Sequence, residues 1–227
     1  MAKAKLFYIP GACSLATHIL LREVDADFSL SKEQVGNLSQ DLLKLNPKAK
    51  VPTVELTTDD GHEHVITEGP AIMTAISQLP SAQGKNLLGK TPMDVVRTYE
   101  WMNWLSGTVH GQAYSMWLGP QRWSTDPAGA DGIKAKGAEM IKQCYQTIDE
   151  KLAASAAASG SKYAVGDSLT IVDLYLLVQY RWGKFFKSVE TMDAYPAYTA
   201  HAREVSKRKS VVAALEAEQI PPTFADA

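Results

Sequence analysis

Leu6, Phe7, Tyr8 and Ile9 form an apolar run of strand length, which Pro10 and Gly11 end. Leu15, Ile19 and Leu20 follow at helical spacing with Arg22 in the closing turn, so the pattern predicts strand, turn and helix, with Cys13 and Ser14 at the helix start. Residues 28–34, with Phe28 and Leu30 alternating, predict a second strand. A strand–helix–strand unit of this length implies a parallel pair with a right-handed crossover. A short helix over 38–45 is ended by Asn46-Pro47, and a strand over 51–56 is entered through Pro52. Asp59-Asp60-Gly61 signals a hairpin whose return strand runs from His64 to Thr67. Ala71, Ile72, Ala75, Ile76 and Leu79 then recur at helical spacing up to Pro80. The order is βαβαββα, a compact α/β unit over residues 1–80; residues 81–90, with two glycines and no apolar periodicity, read as a linker.

Beyond residue 91 the periodicity is helical throughout. Thr91-Pro92-Met93-Asp94 is a strong helix start, and Val95, Val96, Tyr99, Met102 and Leu105 line a helix reaching Trp117. Gly119-Pro120 and Thr125-Asp126-Pro127 break it. A second long helix over 131–158 carries Ile133, Met140, Ile141, Tyr145, Ile148 and Leu152 on its apolar side and stops at Gly160. Thr170 with Asp173 resembles a capping box, and Leu169 with Leu174 a hydrophobic staple. The helix behind them, 174–186, is apolar nearly all round and belongs at the centre of its domain. Two shorter helices over 196–206 and 210–219 precede a tail, 220–227, expected to be loosely held. The fold class expected is therefore α/β plus all-α: the N-terminal unit, then a C-terminal helical bundle domain over 91–227.

Composition narrows the function. With 45% hydrophobic and 21% charged residues, the chain has the makings of an ordinary globular core. A formal net charge of −2 gives no support to a nucleic-acid or anionic-membrane partner. Lys207-Arg208-Lys209 is a solvated face. No stretch approaches a membrane span, and the N-terminal apolar run is broken too early for a signal peptide. Cys13 and Cys144, far apart, are no disulfide framework and fit a reducing, cytoplasmic compartment.

Three places carry candidate chemistry. The first N–H groups of a helix lack internal partners and the helix dipole is positive there, so a thiol at Cys13 is expected to ionise more easily. The alternative is that Ser14 is only a cap and Cys13 a small buried residue. The α/β unit has the order of a thioredoxin-like fold, and Val51-Pro52 stands where that fold has a cis-proline; an ordinary trans bond entering an edge strand is the alternative. Glu68-Gly69-Pro70 offers a carboxylate for an ammonium group and a helix N-terminus for a carboxylate, or only an acid complementing its own helix. All three fall at one end of the sheet, where open α/β folds bind ligands. His62 and His64 share a strand face, but two ligands make no metal site, and none is expected.

Tyr8-x-Pro10-Gly11-Ala12-Cys13-Ser14-Leu15-Ala16, Asn46-Pro47-Lys48-x-x-Val51-Pro52 and Thr67-Glu68-Gly69-Pro70-Ala71-Ile72 resemble the glutathione S-transferase superfamily, in particular its bacterial beta class. The likeness continues through Glu100-Trp101-Met102-Asn103-Trp104, His110 and Gly166-Asp167-x-x-Thr170-x-x-Asp173, and so covers essentially the whole chain. It implies an enzyme that binds glutathione as co-substrate, without a metal, and joins its thiolate to small apolar electrophiles. Cys13 would stand beside the glutathione sulfur, able to form a mixed disulfide, with Ser14 hydrogen-bonding that sulfur and His110 assisting. Gln34, Val51, Pro52, Glu68, Gly69 and Asn103 would complete the glutathione site. Tyr8, Ala12, Tyr114, Trp117 and Trp182 would line the electrophile pocket. The resemblance further implies a homodimer. Gly111 stands where the family often has a lysine, and 31–39 lacks the family's usual lysine cluster, so one glutathione carboxylate is expected to be held differently. The rival reading is a non-catalytic, transferase-shaped binding module.

Overall fold

The computed structural model describes residues 2–188 and 191–225. Strands β1 (Lys3–Tyr8), β2 (Asp27–Lys32), β3 (Thr53–Thr57) and β4 (Glu63–Thr67) form one sheet in the order β2-β1-β3-β4. β1 and β2 are parallel, pairing Leu6 with Leu30, as their helical crossover demands; β1/β3 and β3/β4 are antiparallel, pairing Leu6 with Val54 and Val54 with Ile66. Leu6 and Phe7 at the centre of the sheet are fully buried. Helices α1 (Ser14–Glu23), α2 (Gln40–Leu45) and α3 (Gly69–Ser77) complete the thioredoxin-like βαβαββα order. Segment 80–90 is not a loose strap. It opens with a turn of 3₁₀ helix (Pro80–Ala82), buries Ala82 and Leu87, and the Leu87 carbonyl accepts the Ile171 N–H at 2.9 Å.

The helical half begins at a realised capping box: Thr91 Oγ1 accepts the Asp94 N–H at 3.1 Å and Asp94 Oδ2 accepts the Thr91 N–H at 2.9 Å. The helix then runs as expected in extent but not in kind. α4 (Pro92–Trp104) widens into a π-helical segment (Leu105–Tyr114) before α5 (Ser115–Leu118), and the Ser115 N–H reaches the His110 carbonyl five residues back. Gly111 permits this, since a Cβ there would lie 2.9 Å from the Ser106 carbonyl oxygen. π-turns gather at functional sites, and this one faces the cavity described below.

α6 (Ala130–Ser159) and α7 (Ile171–Phe185) follow, and every α7 residue from Ile171 to Gly183 is buried, as its all-round apolarity requires. Asp173 anchors its first turn, accepting from the Thr170 N–H at 2.7 Å, the Thr170 hydroxyl at 3.0 Å, the Ala164 N–H at 2.8 Å and His201 Nε2 at 2.8 Å. α8 (Pro196–Ser206) and α9 (Lys209–Glu218) close the bundle, and α1 packs against α7 and α9. The tail departs from expectation, because residues up to Phe224 are docked. Arg181 donates to the Pro221 carbonyl and Thr223 Oγ1, both at 2.8 Å, and Phe224 is buried 5.6 Å from the Tyr180 ring. Its partners lie on α7, some 40 residues upstream, so nothing in the tail itself announces the docking. The last two residues lie outside the described residues.

Candidate functional site

Where β1 and β4 end and β3 begins, the chain turns into α1 and α3 and leaves their N-termini beside the π-helical segment. Between them lies a cavity of about 750 Å³, within the usual range for small-ligand sites. Cys13, Val51, Pro52, Glu68 and Gly69 line one wall, and His110, Tyr114, Leu118, Arg122 and Tyr175 the other.

Cys13 is the N-cap of α1, and its sulfur is met by the backbone N–H groups of Cys13 and Ser14. The thiol donates to the Val51 carbonyl at 3.3 Å. Helix position alone suggests a readily ionised thiol; the structure gives the reverse. Desolvation of the sulfur by the surrounding protein pushes its pKa up to about 11, outweighing the two N–H groups and Lys50. Ser14 faces away. Its fully buried hydroxyl bridges the N–H and carbonyl of Ile9, both at 3.2 Å, and so ties the end of β1 to the start of α1.

The Val51-Pro52 bond is cis. Glu68 takes φ +70°, ψ 118°, a costly conformation for a residue with a Cβ, and caps α3. Such strain is typical of functional positions, and here it leaves the carboxylate 70% exposed at the N-terminus of α3. Acid and helix N-terminus together match the ammonium and carboxylate of an α-amino acid. Lys48 Nζ holds the pair, at 2.5 Å from Glu68 Oε1 and 2.7 Å from Thr67 Oγ1.

On the opposite wall, His110 Nδ1 lies 3.2 Å from the Tyr175 hydroxyl, and its ring packs edge-on to Trp182 at 4.9 Å. Burial, then the charges of Lys50 and Arg122, lower its pKa to about 4, so the ring is neutral at physiological pH. Tyr114 offers the cavity its ring only. Its hydroxyl points into the bundle, 2.5 Å from the Tyr145 hydroxyl and 3.1 Å from Ser188 Oγ.

Sequence models of the glutathione S-transferase N-terminal and C-terminal domains match residues 2–78 and 127–218. The chain is 30% identical over 222 residues to glutathione S-transferase GstA of Escherichia coli O157:H7, covering 94% of this chain and 98% of that protein. The chain belongs to the glutathione S-transferase family. Among solved structures, a sphingomonad glutathione S-transferase complexed with glutathione matches with TM-score 0.75 and 33% identity, over 96% of this chain and 100% of that one. The bacterial beta-class enzyme of Sphingomonas chungbukensis matches with TM-score 0.75 and 30% identity over the same shares.

Not every residue singled out in the sequence reaches the cavity of this transferase. Tyr8 is buried behind it, 5.9 Å from the His18 ring, and Ala12 is held in the turn by its N–H to the Ile9 carbonyl at 3.0 Å. Gln34 is exposed in a bridge to Asn37, while its neighbours Val35 and Gly36 line the cavity. Asn103 is exposed on α4 outside the lining. Trp117 lies under Lys134 of α6, 4.8 Å from its ring. Trp182 stands one layer back, behind His110 and Tyr114. A one-residue error in facing is easily made on a helix whose period changes at Leu105, as it does ahead of Trp117. The cavity is also lined by residues that periodicity passed over: Lys48 and Lys50 beside the proline loop, Tyr175 on α7, and Arg122 beyond the helix break. The lysines were legible next to Val51-Pro52; the others are joined to the site only by folding. Among the described residues no group of three or more His, Cys, Asp or Glu could hold a metal ion.

Proposed function

We propose that this transferase, of beta-class type, binds reduced glutathione in the interdomain cavity and adds its thiolate to small apolar electrophiles. One observation carries the reading: Cys13, the cis Val51-Pro52 bond and the strained Glu68 with its helix N-terminus line a single wall. Glu68 and Gly69 would hold the γ-glutamyl ammonium and carboxylate, the Val51 backbone the cysteinyl unit, and Cys13 would sit beside the sulfur. Lys50 and Arg122, which make no ion pair among the described residues, are the candidates to replace the lysine absent at Gly111. Neutral His110 can donate or accept a hydrogen bond but brings no charge to a thiolate. Leu118, exposed at the cavity mouth and backed by the buried rings of Tyr114 and Tyr175, offers an apolar surface to the second substrate. A cytoplasmic homodimer is part of the same proposal, supported by the family and by Val65, Met93 and Val96, apolar yet exposed in the single chain.

The test is thermal unfolding with and without millimolar reduced glutathione. A ligand present at a hundred times its Kd stabilises by about 2.7 kcal/mol, or roughly 5–10 °C for a chain of this size. The rise is expected in the wild type and largely lost in Glu68→Ala. No rise at cellular glutathione levels would overturn the proposal in favour of the non-catalytic binding module.

Cys13 supports a second reaction, glutathione–disulfide exchange. Its thiolate attacks the glutathionyl sulfur of a mixed disulfide, the S–S bond breaks, and the partner thiolate leaves and takes up a proton. A second glutathione thiolate then attacks the Cys13–glutathione bond, releasing oxidised glutathione and restoring Cys13. With the thiol raised to about 11, alkylation of Cys13 by iodoacetamide is expected to climb with pH through pH 9 without a plateau. A plateau near pH 7 would mean an activated cysteine instead. Cys13→Ala is expected to abolish glutathionylation while lowering conjugation only in part; equal loss of both activities would refute that division.

A further inference from the structure

The turn that delivers Cys13 to the cavity is gripped from the other half of the molecule. Gly11, at φ +70° in that turn, has both of its peptide groups taken. Its N–H donates to Glu218 Oε2 at 2.8 Å and its carbonyl accepts Trp182 Nε1–H at 2.9 Å. These anchors stand 207 and 171 residues away in the chain, on α9 and α7. The turn's local bonds run from the Ala12 N–H to the Ile9 carbonyl, from the Leu15 N–H to the Ala12 carbonyl, and from the Ser14 hydroxyl to both polar groups of Ile9; none of them engages Gly11.

Glu218 is itself held. It is 2% exposed, and its other oxygen, Oε1, lies 2.9 Å from His18 Nδ1. His18 Nε2 accepts from Arg22 Nε at 2.9 Å, so that nitrogen carries no proton and Nδ1 must be the donor to Glu218. The tautomer of a fully buried histidine is thereby fixed, and α1 holds the carboxylate that holds the turn ahead of α1. A buried carboxylate is costly unless its oxygens are filled, and here each oxygen has a donor.

We infer that Glu218 and Trp182 are positioning residues of the transferase: the helical domain fixes the Gly11 turn, and through it the Cys13 sulfur and the first N–H groups of α1. This rests on the transferase reading only for its effect on turnover. The placement of Cys13 can be measured without glutathione.

The two free cysteines make the test internal, since Cys13 sits beside the gripped turn and Cys144 is buried in α6. In folded Glu218→Ala and in Trp182→Phe, which deletes the donor but keeps an aromatic ring, the turn loosens and Cys13 gains solvent. The ratio of Cys13 to Cys144 alkylation, read by mass spectrometry with iodoacetamide, is expected to rise about tenfold or more. The kcat for conjugation with 1-chloro-2,4-dinitrobenzene is expected to fall about ten- to hundredfold, as for a misplacement near 1 Å, while the KM for glutathione changes little. Glu218→Gln should recover both readouts only in part, because its carbonyl can still accept from Gly11 but its amide then faces the His18 Nδ1–H that Arg22 holds in place. If both cysteines accelerate together, the residues serve global stability and the inference fails. It fails equally if folded Glu218→Ala keeps the wild-type alkylation ratio and kcat. If wild type neither binds glutathione nor turns over, yet the alkylation ratio responds as stated, the transferase reading falls and the positioning role stands.

Discussion

An Asp173→Ala variant is expected to unfold about 10 °C or more below the wild type. Asp173 is fully buried and accepts four hydrogen bonds, at 2.7, 3.0, 2.8 and 2.8 Å, from the Thr170 N–H and hydroxyl, the Ala164 N–H and His201. Truncation orphans those donors in a dry interior and leaves the space of a carboxylate behind. Breaking one partner of such a network costs about 3–5 kcal/mol, and for a chain of this length each kcal/mol moves Tm by about 2–4 °C. Asp173→Asn keeps one carboxyl-type oxygen but turns an amide N–H toward a donor, so an intermediate loss is expected. The measurement is thermal unfolding followed by circular dichroism. A loss below about 1 kcal/mol for the alanine variant would mean that α7 is held by its apolar packing alone. The consequence reaches the site as well, because α7 carries Tyr175 to the cavity and Trp182 to the Gly11 turn.

The second large effect is a loss of stability as pH falls from about 6.5 toward 4, traceable to His110. Burial, Lys50 and Arg122 hold its folded pKa at about 4, against 6.5 for a free imidazole. Between those values the unfolded chain takes up a proton that the folded chain refuses. Stability from this residue is therefore complete above about pH 6.5 and is lost progressively on acidification. At 1.36 kcal/mol per pH unit the ceiling is roughly 3 kcal/mol, reached near pH 4 and reduced by solvent at the cavity-facing edge. Carboxylates with depressed pKa values, Glu23 among them, add acid sensitivity of their own, so the diagnostic quantity is the difference between wild type and His110→Gln. The wild-type denaturant midpoint should fall relative to that of His110→Gln as pH drops from 7 to 4. Parallel midpoints would show that His110 titrates as a free imidazole does. For turnover, the same pKa means that no step between pH 5 and 8 in the conjugation profile belongs to His110.

Much of the architecture could be read from short-range pattern. The capping boxes at Thr91–Asp94 and Thr170–Asp173, the Asp59-Asp60-Gly61 hairpin and the helix stop at Gly160 all lie where periodicity and turn chemistry put them. Each signal spans four residues or fewer, and its physics is complete within that span. The same holds for the wall formed by Cys13, Val51-Pro52 and Glu68-Gly69, because every member sits at the junction of a strand and a turn. Residues on long helices were harder. The π-helical segment changes the angular step between Leu105 and Tyr114, and that widening depends on a close approach at Gly111 that no apolar pattern records.

What the sequence alone determined, then, was the order of elements, their caps and the strand-end residues that line the cavity. Only the tertiary structure decided the ionisation of Cys13 and His110, the turn of the Tyr114 hydroxyl into the bundle, the placing of Arg122 and Tyr175 at the cavity, and the grip of Glu218 and Trp182 on Gly11. The physical reason is range. Propensity, capping and amphipathicity act between residues within a helical turn of each other, whereas desolvation depends on everything packed around a group. A hydrogen bond between residues some two hundred apart leaves no trace in either partner's neighbourhood.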